Sequence, residues 1–152
     1  MAAILLDTNV LVYAHDPSAP AKQARALEVL DRLHLTGTGQ LSAQCLGEFL
    51  SIAVRTRRPL LSPTRAAAQV ERLLQAWPVL NITPLVVGEA IRGVRVHRLP
   101  YWDAQLWATA RLNQTPVIFS EDFSAGAVLD SIRFVNPFAN DFDVETWAPL
   151  TR

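Results

Sequence analysis

Apolar residues recur along the chain in two patterns, short unbroken runs and longer stretches with a three-to-four-residue rhythm. The first run, Ala2 to Leu6, contains no polar position, which predicts a strand buried on both faces of a parallel sheet. It ends at Asp7. Residues 20–35 (PAKQARALEVLDRLHL) set Ala24, Leu27, Leu30 and Leu35 at helical spacing, and Gly37 and Gly39 close that helix. Gln40 to Ser42 predicts a second short strand. A helix over 43–57 follows, with Ser42 as its N-cap and Pro59 beyond its end, and Pro63 opens another over 63–76. The remaining pattern predicts a strand at Val79–Ile82, helices at Pro84–Val96 and 102–113, and strands at Val117–Phe119 and Ile132–Val135.

Strands alternating with helices imply parallel pairing, so the predicted fold is a three-layer α/β/α domain with a central parallel sheet. A chain of 152 residues, 50% of them hydrophobic, supports one substantial core and not two. Residues 1–138 are assigned to the domain, and 139–152 to a C-terminal tail packed on it or extending from it.

Composition narrows the chemistry. The single cysteine, Cys45, excludes an intramolecular disulfide and a cysteine-based zinc site, and His15, His34 and His97 lack metal-ligand spacing. No basic leader precedes Asp7 and no stretch reaches membrane-span length, which predicts a soluble cytoplasmic protein. Net charge is zero, so any contact with nucleic acid must be local. The cations are thirteen arginines and one lysine, Lys22. Arginine suits two-bonded phosphate contacts.

Ligands of open parallel sheets bind beyond the carboxyl ends of the strands, where Asp7 and Asp122 fall. Each has a plain structural reading as well: Asp7 as the N-cap of TNVLVYA, Asp122 as a polar loop residue. Glu48 borders the apolar stripe of its helix, between Cys45 and Ile52. It either meets a partner or extends its head to water. Asp103 lies in the first turn of a helix, a position the helix dipole favours without any ligand. Together the four acids, at two strand ends and two inward-leaning helix positions, form a pattern that favours a hard cation. Oxygen donors without cysteine or a histidine pair select Mg²⁺ or Mn²⁺. Arg55, Arg57 and Arg58 are candidates for contacts to a phosphate backbone, or simply cations at a helix C-terminus. The four tryptophans could stack on the bases of a nucleic acid, but Trp102 and Trp107 sit beside apolar positions and are assigned to the core.

The strings ILLDTNVLVYA (4–14), Gly47-Glu48-Phe49, Tyr101-Trp102-Asp103-Ala104 and FSEDFSAG (119–126), followed by Asn136-Pro137-Phe138, together resemble the PIN-domain family, and within it the VapC-type toxins. The resemblance puts Asp7, Glu48, Asp103 and Asp122 on the family's acidic positions, and Thr8 or Asn9 and Ser120 on its polar supporting positions. It implies a PIN-like α/β/α fold and endoribonuclease activity with Mg²⁺ or Mn²⁺. Asp7 and Asp103 would be direct metal ligands, and Glu48 and Asp122 would act directly or through water. It further implies a homodimer, a cognate antitoxin whose segment wraps the toxin and can reach its acidic pocket, and tRNA or rRNA as substrate; a hydrophobic groove between the early helices is the expected seat of such a partner.

Three other readings stand beside this one. An aspartyl-phosphate mechanism at Asp7 lacks the second aspartate of Asp-x-Asp, and Lys22 lies too early to serve as its lysine. An RNA-processing PIN nuclease without an antitoxin and a non-catalytic PIN-like binding module both remain compatible with the sequence.

Overall fold

The computed structural model describes residues 1–150. At its centre, β1 (Ile4–Leu6) is three consecutive residues wholly withdrawn from solvent. Side chains alternate across a strand, so Ile4 and Leu6 join one core while Leu5 joins another on the opposite face. The first core is closed by α1 (Thr8–Ala14), α2 (Pro20–Thr36), α3 (Ala43–Ala53) and α4 (Pro63–Ala76). The second is closed by α5 (Pro84–His97) and α6 (Tyr101–Leu112). Burial of each such leucine contributes about 1.5–3 kcal/mol.

β2 (Gly39–Ser42) and β4 (Val117–Phe119) flank β1, both parallel to it, with β3 (Val79–Leu80) beyond β2 and β6 (Ile132–Val135) beyond β4. The outermost strand, β5 (Val128–Leu129), runs antiparallel to β6, so the sheet is mixed where a purely parallel one was expected. Its reversal is tight, with Asp130 and Ser131 both at positive φ. Gly39 is required where β2 meets α2 and the Trp77 ring: a Cβ there would stand 2.2 Å from the ring.

Several expectations change in detail. In α2 the buried stripe is Ala26, Val29 and Leu33, while Leu27 and Leu35 are exposed. The stripe at 26, 29, 30 and 33 is apolar throughout, whereas Leu27 shares its face with Gln23, Asp31 and His34. Helix α3 starts at its Ser42 cap as predicted but ends at Ala53, because the N–H groups of Leu60 and Leu61 turn back onto the Ala53 carbonyl. Arg55, Arg57 and Arg58 therefore lie in a loop, not on the helix. Trp107 is fully buried, but Trp102 is 64% exposed, contrary to its assignment to the core. Beyond residue 138, the short α7 (Val144–Trp147) lies against the domain: the rings of Phe142 and Trp147 pack on Phe119, and Glu145 pairs with Arg32. Among the described residues, no helix is long and apolar enough to cross a membrane.

Candidate active site

The neighbouring strands β1 and β4 end level. The Asp7 N–H donates to the Phe119 carbonyl (2.9 Å), and the Ser120 N–H donates to Val135 at the end of β6 (2.9 Å). Asp7 is thus the first residue past β1, and Ser120 and Asp122 stand beside it past β4. Asp7 also caps α1, and its two oxygens divide the work. Oδ1 accepts the Thr8 N–H (2.7 Å), and Oδ2 accepts the Ser120 hydroxyl (2.6 Å). The capping reading and the site reading of Asp7 both hold.

Glu48 approaches from α3, half-buried, with both oxygens engaged: Thr8 Oγ1 donates to Oε2 (2.8 Å) and Gln44 Nε2 to Oε1 (2.7 Å). Asp122 is exposed, and its Oδ2 accepts from Asn9 Nδ2 (3.3 Å). Its own N–H donates to Ser120 Oγ (3.1 Å). Asp103 enters from the first turn of α6, whose N-cap is Pro100 and not Asp103 itself. The four carboxylates line one cleft of about 390 Å³, with Val12, Tyr13, Ile52 and Trp102 on its walls and Arg55 at its edge. Arg57 and Arg58 are exposed and do not line it.

Electrostatics tie the four together. Burial pushes the Asp7 carboxyl up from 3.8 to about 6, against the pull of its Ser120 and Thr8 hydrogen bonds, and the charges of Asp122 and Glu48 push the same way. Asp103 is raised chiefly by burial and then by Asp122 and Glu48. No ion pair among the described residues involves any of the four acids. Among those residues, no three His, Cys, Asp or Glu side chains are close enough to cage a metal ion unaided. The cleft is an open acidic site in which four carboxylates without ion pairs share a lining with one cation, Arg55.

The donors suit a hard divalent cation. All are oxygens, and Asn9 contributes a buried Oδ1 that has no hydrogen-bond partner. The one nearby sulfur is withdrawn: Cys45 donates its S–H to the Leu6 carbonyl (3.3 Å), and burial pushes its thiol up to about 12. Buried and bonded to a backbone carbonyl, this thiol is held neutral and away from the oxygen donors of the cleft.

Sequence reasoning did not single out two groups of supporting residues. In the first, Tyr101 Oη donates to Gln105 Oε1 (3.0 Å), Gln105 Nε2 to Gln44 Oε1 (2.9 Å), and Gln44 onward to Glu48. Gln44 stands one helical turn before Glu48, a spacing that signals contact. In the second, Lys22 Nζ and Tyr13 Oη both donate to Glu121 (2.8 and 2.5 Å), fastening the residue next to Asp122 to α1 and α2. No local pattern announces that contact, because the partners are 99 and 108 residues apart.

Comparison with known proteins gives a consistent result. The family model of the PIN domain matches residues 4–128. Among solved structures, the fold is similar to Mycobacterium tuberculosis VapC20, described as a sarcin-ricin loop cleaving toxin (21% identity, TM-score 0.61, covering 86% of this chain and 99% of that one). It is similar also to a toxin–antitoxin complex from Klebsiella pneumoniae (17%, 0.63, 89% and 98%) and to DNA-bound VapBC from Salmonella typhimurium (20%, 0.61, 88% and 97%). At these identities the likeness is one of fold. No curated protein matches the chain in sequence.

Proposed function

The chain belongs to the PIN-domain family, a family of nucleases, and from that premise we propose that it is a divalent-metal-dependent endoribonuclease and the toxin of a toxin–antitoxin pair. The observation that carries the reading is the convergence of Asp7, Glu48, Asp103 and Asp122 on one cleft without a basic partner among the described residues. Like charges held together in this way call for a cation.

Asp7 and Asp103 are proposed to hold Mg²⁺ or Mn²⁺, with Glu48 and Asp122 acting directly or through water. Such an ion, when bound, polarises the scissile phosphate and makes water a better nucleophile. Mg²⁺ is commonly held by one or two carboxylates together with waters and substrate oxygens, which suits an open site. The chain's own residues prepare the cleft: Ser120 and the Thr8 N–H fix the rotamer of Asp7, Thr8 Oγ1 and Gln44 fix Glu48, and Asn9 orients Asp122. Arg55 is positioned to meet an RNA phosphate, with Arg57 and Arg58 as further candidates on the same loop.

The antitoxin is proposed because similar folds occur as toxin–antitoxin complexes. The apolar wall of Val12 and Ile52, between α1 and α3, is the groove a partner segment would follow. Ribosomal RNA or tRNA is the proposed substrate, and a cytoplasmic homodimer the proposed state.

The test is cleavage of structured RNA by purified protein with and without Mn²⁺, using wild type, Asp7→Asn and Asp103→Asn. Metal-dependent cleavage lost in both variants supports the proposal. Equal cleavage by all three assigns the activity to a contaminant and removes the acidic-site mechanism.

A further inference from the structure

Trp102 is the most exposed of the four tryptophans: Trp107 is buried, Trp77 and Trp147 are half-buried, and Trp102 keeps 64% of its surface in solvent. It does so immediately before Asp103. Its position is fixed from two sides, since Gln44 Nε2 donates to its carbonyl (3.0 Å) and the Tyr101 ring meets it edge-on at 5.0 Å. Beside it lies an open hollow of about 470 Å³, bounded by Ala43, Gln44, Gly47, Glu48 and Gln105, which is the scale of a small-ligand site. The bounding residues nearest solvent are small. A Cβ at Gly47 would meet nothing within 4 Å. The polar residues of the hollow are the amides of Gln44 and Gln105 and the Glu48 carboxylate to which they are joined.

We propose that this hollow is a nucleobase site, in which an unpaired base of an RNA strand stacks on Trp102 while its backbone enters the acidic cleft. The inference rests on the nuclease reading and specifies how the substrate is held. Trp102, Gln44 and Glu48 border both the hollow and the cleft, so a base in one has its phosphate directed to the other. Gln44, Glu48 and Ile52 recur at helical spacing on α3 and all line the cleft, so this wall runs for about 12 Å from the hollow, with Arg55 on the loop beyond it. An exposed indole with small neighbours and amide groups suits a planar heterocycle, and aromatic stacking is the usual way proteins hold unpaired bases. A base paired within a duplex cannot present its face to the ring. The site therefore selects loops, bulges and single strands.

The experiment pairs a protein change with a substrate change. Binding of a short unpaired oligoribonucleotide to Asp7→Asn protein is followed by tryptophan fluorescence, with and without Trp102→Ala or Trp102→Tyr. Cleavage by otherwise wild-type protein is measured on the same RNA carrying one abasic nucleotide at successive positions. The expected results are quenching that depends on Trp102, affinity weakened by about ten- to a hundredfold in Trp102→Ala, and substantial recovery in Trp102→Tyr. One abasic position should raise KM for wild type yet leave Trp102→Ala unaffected, the coupling that marks direct contact. Unchanged binding and KM in Trp102→Ala, with cleavage still lost in Asp7→Asn, overturns the base site and leaves the nuclease intact. Conversely, Trp102-dependent quenching without any cleavage by wild type supports the base site and removes the nuclease reading. Conversion of a dimer to a monomer by Trp102→Ala, with no coupling to any abasic position, makes the hollow a subunit contact and also overturns the proposal.

Discussion

Replacing Asp7 by asparagine should stabilise the metal-free protein at neutral pH while destroying its activity. Asp7 is 8% exposed, and burial holds its carboxyl at about 6 in the folded chain against 3.8 ordinarily. The folded state thus binds this proton more tightly than the unfolded state. Stability falls as pH rises between about 4 and 6, and the ionised group costs the fold what that gap represents. At 1.36 kcal/mol for each tenfold difference in proton affinity, the cost is about 3 kcal/mol. Asparagine retains an oxygen for the Thr8 N–H but sets its amide against Ser120, forfeiting about 1 kcal/mol. A net gain of about 2 kcal/mol remains, or a Tm higher by about 4–8 °C for a chain of this size. The assay is thermal unfolding in EDTA at pH 7.5 and at pH 3.5. The variant should be the more stable at pH 7.5, with its advantage gone at pH 3.5, where Asp7 is protonated in both states. Added Mg²⁺ should raise the Tm of wild type and leave that of the variant unchanged. A variant less stable than wild type at pH 7.5 in EDTA would show that the ionised carboxylate is a net stabilising cap, and the reasoning from burial would be refuted.

Gln44→Ala should release one oxygen of Glu48 and weaken Mn²⁺ binding by about tenfold, read by calorimetry, with little change in Tm. Lys22→Glu and Glu121→Lys should each slow RNA cleavage by loosening the segment that carries Asp122, and the double exchange should restore it; a double exchange no faster than either single change contradicts that role. The Cys45 thiol, buried and pushed up to about 12, should react with an aromatic disulfide reagent only at the rate of unfolding, and rapid labelling of native protein would contradict its placement.

The elements legible in the sequence were those with an unambiguous local signal. β1 and β4 are unbroken apolar runs, and α4 lies within its Ser62 cap and Pro63 start. In α2 the predicted set mixed two faces: Leu30 packs on the core, but Ala24, Leu27 and Leu35 lie off the wholly apolar stripe of Ala26, Val29, Leu30 and Leu33 that the core buries. β5 has only two residues and draws its pairing from β6, so nothing local marked it. The acidic positions were readable from strand ends and helix faces, and the cleft collects all four. Their supports Thr8, Asn9 and Ser120 were named only through the family resemblance, since Ser120 meets Asp7 across 113 residues and Thr8 meets Glu48 across 40, and the Gln44–Gln105 and Lys22–Glu121 contacts were not read at all. Trp102 was misassigned because apolar neighbours in sequence suggested a core, whereas the first turn of α6 points its indole outward beside the cleft.

The most direct test of the central claim, that these carboxylates form a divalent-cation site, is titration of Mn²⁺ into EDTA-stripped protein followed by electron paramagnetic resonance. Saturable binding to wild type and to Trp102→Ala, lost in both Asp7→Asn and Asp103→Asn, is the predicted result. Failure of the wild type to bind, or binding of equal strength in Asp7→Asn, would contradict the account.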